Sequence, residues 1–201
     1  MGEKISVACG VRFMPKGSLT FTHTIDNLAN SNADADSVKL SDWKAGSFAI
    51  TPEFRFYPKH AGKGFYLAPY FRYRTIGLDL PVDYTDNNGV AQKVSAKGNI
   101  TSLMGGLMIG SQFNLGSMVT LDWYIIGLQY GSSNIKLDVT TTKTLSADDQ
   151  ADVRSNLQEI KNLSGKFDNI NYNVNANGGN IEGKLSAIGF RGFGLNLGFK
   201  F

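Results

Sequence analysis

The sequence predicts an all-β fold: an antiparallel up-and-down transmembrane β-barrel of the eight-stranded type, with a short helix in its last extracellular loop. Three observations predict it. Stretches of about ten residues alternate apolar and polar side chains with a period of two. No apolar run approaches the ~20 residues that a membrane-crossing helix requires. The connections between the alternating stretches run long, short, long, short, long, and outer-membrane barrels have that asymmetry, with short periplasmic turns and long extracellular loops.

The composition of the 201-residue chain, 42% hydrophobic and 18% charged with 23 glycines, would suit an ordinary soluble domain. Its mean hydropathy of −0.16 does not argue against a barrel, because half of each strand faces the lumen and dilutes the apolar signal. A net charge of +3, scattered along the chain, excludes a nucleic-acid partner as the reading of choice. The single cysteine, Cys9, sits on an apolar strand face and reads as a buried or lipid-facing thiol. Met1 to Lys4 leads straight into a strand with no signal-peptide core. For an exported protein this implies a mature form or a chain whose start has been lost.

Six membrane-length strands are identified, within one domain spanning residues 1–201. Ile5 to Met14 puts Ile5, Val7, Cys9, Val11 and Phe13 on one face. After the polar stretch Pro15 to Lys44, Gly46 to Tyr57 aligns Phe48, Ile50, Pro52, Phe54 and Phe56, and Pro52 predicts a local irregularity because it lacks a donor. A turn over Pro58 to Lys63 precedes Gly64 to about Arg74, with Phe65, Leu67, Pro69, Phe71 and Tyr73 outward. The apolar residues then change parity at Ile76, Leu78 and Leu80, which implies a bulge or emergence from the bilayer. Pro81 to Lys97 is a second long connection with Asn88-Gly89 at its tip.

The fourth strand, about Gly98 to Phe113, and the fifth, Met118 to about Tyr130, are joined by a tight turn over Asn114 to Ser117. The phase of the fifth slips at Ile125-Ile126. Gly131 to Gly183 is the longest insertion and holds a helix from Ser146 to about Leu163, opened by a capping box of Ser146 and Asp149, with Val153, Leu157 and Ile160 on one face. Ser18 to Ile25 and Ile135 to Thr142 read as ribbons extending above the bilayer. The last strand begins near Lys184, and Arg191 falls out of phase with Phe193, Leu195, Leu197, Phe199 and Phe201.

Alternation alone does not separate a membrane barrel from a lipocalin-like one, whose apolar face points inward. Aromatics near the strand ends, small and charged residues on the polar face, and the loop asymmetry favour the membrane. Both termini then lie in the periplasm. Six strands leave two bare edges in lipid, where each unpaired backbone group costs several kcal/mol.

Several stretches carry a family resemblance. Gly46 to Tyr57 and Gly64 to Tyr73, with Val11 to Gly17, Val119 to Trp123 and Leu145 to Arg154, resemble a family of small Bacteroidota outer-membrane proteins of unknown function, with an OmpA-like barrel. The resemblance implies eight strands, two of them ahead of the segment that begins here, and implies no activity. The closing strand resembles those of outer-membrane barrels generally, whose terminal aromatic, here Phe201, is part of the signal read by the barrel-insertion machinery.

The inward charges Arg12, Glu53, Arg55, Arg72, Arg74, Asp122 and Lys200 read as a lumen network, with Glu53 and Asp122 within reach of Arg55 and Lys200. Buried ions must be paired or solvated. No catalytic residue, cofactor or metal is expected. His23, in the first loop near Asp26, and His60, in the Pro58–Lys63 turn, read as surface histidines, since hydrolysis needs a nucleophile, base and orienting group together. Asn30, Asn32, Asp34 and Asp36, and likewise Asp83 to Gly89, lack the glycine and distal glutamate of a calcium loop. The expected partners are outer-membrane lipid, the insertion machinery and a protein of a larger outer-membrane complex. The reading is a structural or surface-interaction role through the loops, with a lipid-modifying enzyme or a narrow channel as alternatives.

Overall fold

The structure is a computed structural model that describes residues 4–18, 42–85, 91–164 and 170–200. Among the described residues the strands are β1 (Ile5–Ser18), β2 (Lys44–Phe56), β3 (Gly64–Thr85), β4 (Ala91–Asn114), β5 (Val119–Thr141), β6 (Ile170–Asn175), β7 (Gly178–Arg191) and β8 (Gly194–Phe199), and a helix, α1 (Ala147–Ser164), lies between β5 and β6. They form one antiparallel sheet in the order β1-β2-β3-β4-β5-β7-β6, with β8 also paired to β5. β7 lies along the upper part of β5 and β8 along the lower part, so the two make one interrupted strand. The lower wall therefore has six strands abreast. No pairing joins β1 to β7 or β8 among the described residues, so the sheet curls without closing.

The breaks in the ladder have chemical causes. β2 pairs with β3 at Ile50↔Tyr73, Glu53↔Tyr70 and Phe56↔Leu67, with gaps between but no slip. Pro52 of β2 and Pro69 of β3 fall in those gaps, and neither can donate a backbone hydrogen bond. In β5 the register shifts as Ile109↔Ile126 gives way to Gly110↔Tyr124, leaving Ile125 as the extra residue. This β-bulge is the phase slip seen in the sequence. On the neighbouring strand the pairing breaks at the same level, between Arg191 and Gly194. The two-residue interruption at Gly192-Phe193 lets Arg191 turn inward while Phe193 points out.

The parity change after Thr75 has a different origin. β3 and β4 pair from Gly64↔Gln112 to Thr85↔Ala91 without any shift, so no bulge is present. The sheet keeps its faces and the residues exchange character. Below this level Phe71, Tyr73, Leu103, Leu107, Leu128, Tyr130, Ile188 and Phe190 are exposed on the convex face. Above it, that same face carries the exposed Lys97, Asn99, Asn134, Lys136, Asp138, Glu182 and Lys184, while Ile76, Leu78, Ile100, Ile135, Leu137 and Ile181 become half-buried on the concave face. The level of exchange is marked by Ser102 and Ser133, whose hydroxyls lie 2.8 Å apart.

Among the described residues, the long connections expected from the sequence therefore contain long strand segments. β3 has 22 residues and β4 has 24, roughly twice the ~9–11 of a spanning β-strand, so residues 81–85 and 91–97 are paired strand rather than loop. Ile135 to Thr141 continues β5, and β6 with β7 forms a hairpin within the Gly131 to Gly183 insertion. α1 starts as the capping box requires: the Ser146 amide and hydroxyl donate to Asp149 Oδ2, and the Asp149 amide donates to Ser146 Oγ. Arg154 ties the helix to β6 by donating to the Val174 carbonyl at 2.7 Å. Leu19 to Ile25, Asn88-Gly89 and Phe201 lie outside the described residues.

The lower interior is packed by tyrosines lying over glycines. Tyr66 faces Gly110, Tyr70 faces Gly106 and Tyr124 faces Gly194 across the ladder. A Cβ on any of these glycines would overlap the opposing ring. Tyr66, Tyr70 and Met108 are almost wholly inaccessible as a result. Gly110→Val is therefore expected to displace Tyr66 and destabilise the fold by about 1–3 kcal/mol, the usual cost of overpacking. A shift of the unfolding midpoint in detergent checks this; an unchanged midpoint would show that the ring is not confined.

Candidate functional site

The charged groups of the lower interior come together because period-two alternation turns them all to the concave face and the curl of the sheet brings distant strands within reach. Glu53, on β2, is the centre. Its Oε2 accepts from Arg55 Nε at 3.1 Å and Nη2 at 2.8 Å, and its Oε1 accepts from Arg191 Nη1 at 3.0 Å. Arg55 reaches on to Asp122 on β5, donating from Nη2 to Oδ2 at 2.9 Å. The other Asp122 oxygen accepts from the Tyr66 hydroxyl at 2.7 Å. Gln112 Oε1 closes the layer, accepting from Arg55 Nη1 at 3.1 Å and from the Tyr57 hydroxyl at 2.6 Å.

Every carboxylate oxygen of Glu53 and Asp122 is thus occupied, at 2% and 5% exposure. That is the condition under which buried ions persist, since an unsatisfied one carries its full desolvation cost. The guanidinium carbon of Arg55 lies 4.5 Å from the Tyr66 ring centroid and that of Arg191 lies 4.4 Å from the Tyr124 ring centroid. Both distances fall within cation–π range.

The remaining cations are served less well. Arg12 donates to the Tyr124 hydroxyl at 2.6 Å and Arg72 Nε donates to Thr51 Oγ1 at 3.3 Å. Neither forms an ion pair among the described residues, and Arg74 on the same face has none either. Lys200 lines the same interior cavity as Arg12 and Arg72, near Gly62, and forms no ion pair with Glu53 or Asp122. Of the two carboxylates' expected partners, then, Arg55 is in place and Lys200 is replaced by Arg191. Sequence reasoning could not assign Arg191 because its direction depends on the Gly192-Phe193 interruption. The signal was present in Ile188 and Phe190, which place Arg191 on the polar face if the phase is carried downward along β7 rather than upward from Phe193.

His60 forms an isolated bridge with Lys63 in the β2–β3 turn. His23 and Asp26, Asn30 to Asp36, and the Asp83–Gly89 side chains lie outside what is described. Among the described residues no cluster of three or more His, Cys, Asp or Glu could hold a metal. Glu53, Asp122, Arg55 and Arg191 satisfy one another, with aromatic faces beside them. No family model matches the chain, and no curated protein or solved structure matches it.

Glu53→Gln should cost about 3–5 kcal/mol, because it strands Arg191 while Arg55 retains Asp122. Pairing it with Arg191→Met should recover part of that loss. Chemical denaturation of the single and double variants in detergent tests both statements, and equal losses in the two would deny Arg191 its dependence on Glu53.

Proposed function

We propose that this chain forms the wall of a small outer-membrane β-barrel with a non-enzymatic structural or surface-interaction role, whose contacts are made by the ribbons and helix beyond the membrane. The observation that carries the reading is the exchange of face character along uninterrupted strands. A sheet in one solvent keeps one apolar face from end to end. Here the convex face is apolar over the lower half, with Phe193 83% exposed and Phe13, Phe190 and Phe199 each 73% exposed, and is charged over the upper half. Contiguous exposed apolar surface on this scale demands an apolar partner. A bilayer supplies one that surrounds the wall on all sides and ends at a fixed height.

The upper half then stands in water outside the cell. There the β3–β4 ribbon, the β6–β7 hairpin and α1 present a polar exterior, suited to a protein or saccharide contact rather than to lipid. β8 offers an alternating face suited to the insertion machinery. The family resemblance points to the same place without adding an activity.

Two measurements test the reading. Leu107→Arg, at mid-height of the apolar band, is expected to lower the stability of the vesicle-inserted protein by about 2–4 kcal/mol. Thr101→Arg, on the same face of β4 but above the band, should cost only about 0–1 kcal/mol. In a water-soluble protein both outward positions would tolerate arginine, and equal small effects would refute the membrane reading. Planar bilayers containing the protein are expected to show no steady ionic current, because the paired Arg191, Glu53, Arg55 and Asp122 bridge the interior between β2, β5 and β7. Sustained conductance would favour the narrow-channel alternative.

A further inference from the structure

A groove of about 380 Å³ opens on the outward side of the wall, low in the apolar band between β2 and β3. Phe56, Phe65, Leu67 and Ile109 line it, and each is about half exposed. Tyr57 and Tyr66 line it from the interior side and are buried. The volume lies at the small end of the ~300–1,000 Å³ that ligand sites occupy.

The groove has a backbone origin. The β2–β3 ladder stops at Phe56↔Leu67 and resumes only as the isolated bridge His60↔Lys63, which keeps the same register. Between them Pro58 has no amide to donate, and the Tyr57 amide donates instead to the Lys4 carbonyl at 2.8 Å. Two strands that run side by side without bonds leave room between their outward side chains. The floor is held in place from within. The Tyr57 hydroxyl donates to Gln112 and the Tyr66 hydroxyl to Asp122, with the two ring centroids 5.6 Å apart. The groove is therefore preformed, which lowers the cost of filling it.

At its lower end the groove meets cations. Lys59 follows Pro58 and Lys63 lies two residues before Phe65, and both are exposed in the β2–β3 turn. Lys200 approaches the same turn, its Nζ 3.8 Å from where a Cβ on Gly62 would stand. No aspartate or glutamate occurs in the sequence between Glu53 and Asp79, and Glu53 is already taken up by Arg55 and Arg191. None of the three lysines forms an ion pair among the described residues. The far end of the wall differs, since Lys16 and Lys97 share Asp79 there and Lys136 pairs with Glu182.

Resting on the outer-membrane reading, we propose that this groove holds an acyl chain of one anionic glycerophospholipid, whose phosphate sits on Lys59 and Lys63. The ligand has two parts and the site has two matching parts. The chain meets phenylalanine, leucine and isoleucine, and the phosphate meets ammonium groups that no carboxylate shares. A zwitterionic lipid offers the same chain and phosphate but adds an ammonium of its own, which the lysines repel. Charge therefore selects among lipids of equal chain length, and basic residues at a bilayer surface each strengthen the hold on an anionic one. The groove fixes one molecule where lysines alone would attract only a diffuse layer.

Native mass spectrometry of the full chain in mild detergent tests the site. The protein is offered equal amounts of phosphatidylglycerol and phosphatidylcholine with identical chains. The one-to-one phosphatidylglycerol adduct is expected to exceed the phosphatidylcholine adduct at least about tenfold. The excess should vanish in the Lys59→Gln/Lys63→Gln double variant. It should persist in Lys136→Gln/Lys184→Gln, which removes the same charge from the upper convex face. Ile109→Trp, which fills the groove, should lower the phosphatidylglycerol adduct, and glycerol phosphate without chains should not displace it. The main comparison uses the unaltered chain and does not depend on a variant folding.

Equal adducts of the two lipids overturn the proposal, as does an excess that survives loss of both lysines or filling of the groove. Displacement by glycerol phosphate, or a protein dimer in place of a lipid adduct, overturns it as well. The vesicle measurements with Leu107→Arg and Thr101→Arg bear on the membrane reading alone, so failure of the lipid site and failure of that reading are told apart.

Discussion

Everything in this molecule depends on a backbone constraint: side chains of a β-strand alternate between two faces, so each strand must satisfy two environments at once. Over the lower half the concave face meets the protein's own charges and the convex face meets an apolar medium in the proposed setting. Over the upper half the requirement is reversed, with aliphatic side chains half-buried on the concave face and charges outside. Because β3 and β4 pair over their whole length without a slip, the reversal is written in residue choice alone. The backbone supplies a continuous scaffold through both halves.

The interior solves a second problem created by the first. Turning polar residues inward concentrates charge where water is scarce. The response is a chain of shared acceptors, in which Glu53 spans Arg55 and Arg191, Arg55 spans Glu53 and Asp122, and Asp122 also takes the Tyr66 hydroxyl. Such a layer is a weak source of net stability and a strong source of specificity, since removing any member strands another. The tyrosines do double duty, as their rings cover glycines across the ladder and their hydroxyls complete the polar layer. The glycines at 106, 110 and 194 make that close packing possible.

Arg12 and Arg72, which have no ion-pair partner among the described residues, both line the cavity between β1 and β8. Beyond the apolar band, the long ribbons are held by ladder hydrogen bonds and by the anchoring of α1 on β6. They offer a preorganised surface rather than loose loops, which lowers the ordering cost of any contact made there.

Much of this was legible in the residues. Period-two alternation identified every strand of the lower wall, the tight turns between β2 and β3 and between β4 and β5, the capping box at Ser146, and the inward direction of Glu53, Arg55 and Asp122. These are local properties, dictated by pleat geometry and by hydrogen bonds within a few residues. Local pattern misjudged the upper strands, because Ile76, Leu78 and Leu80 change the apolar parity and only a cross-strand ladder can tell a bulge from a change of surroundings. It also left Arg191 unassigned and gave Lys200 a partner that it does not have. Which cation meets Glu53 is set by the curl of the sheet, which brings together residues 138 positions apart. Alternation along the chain determined the faces; the register between strands decided who meets across them, because a contact across the lumen depends on every intervening pairing.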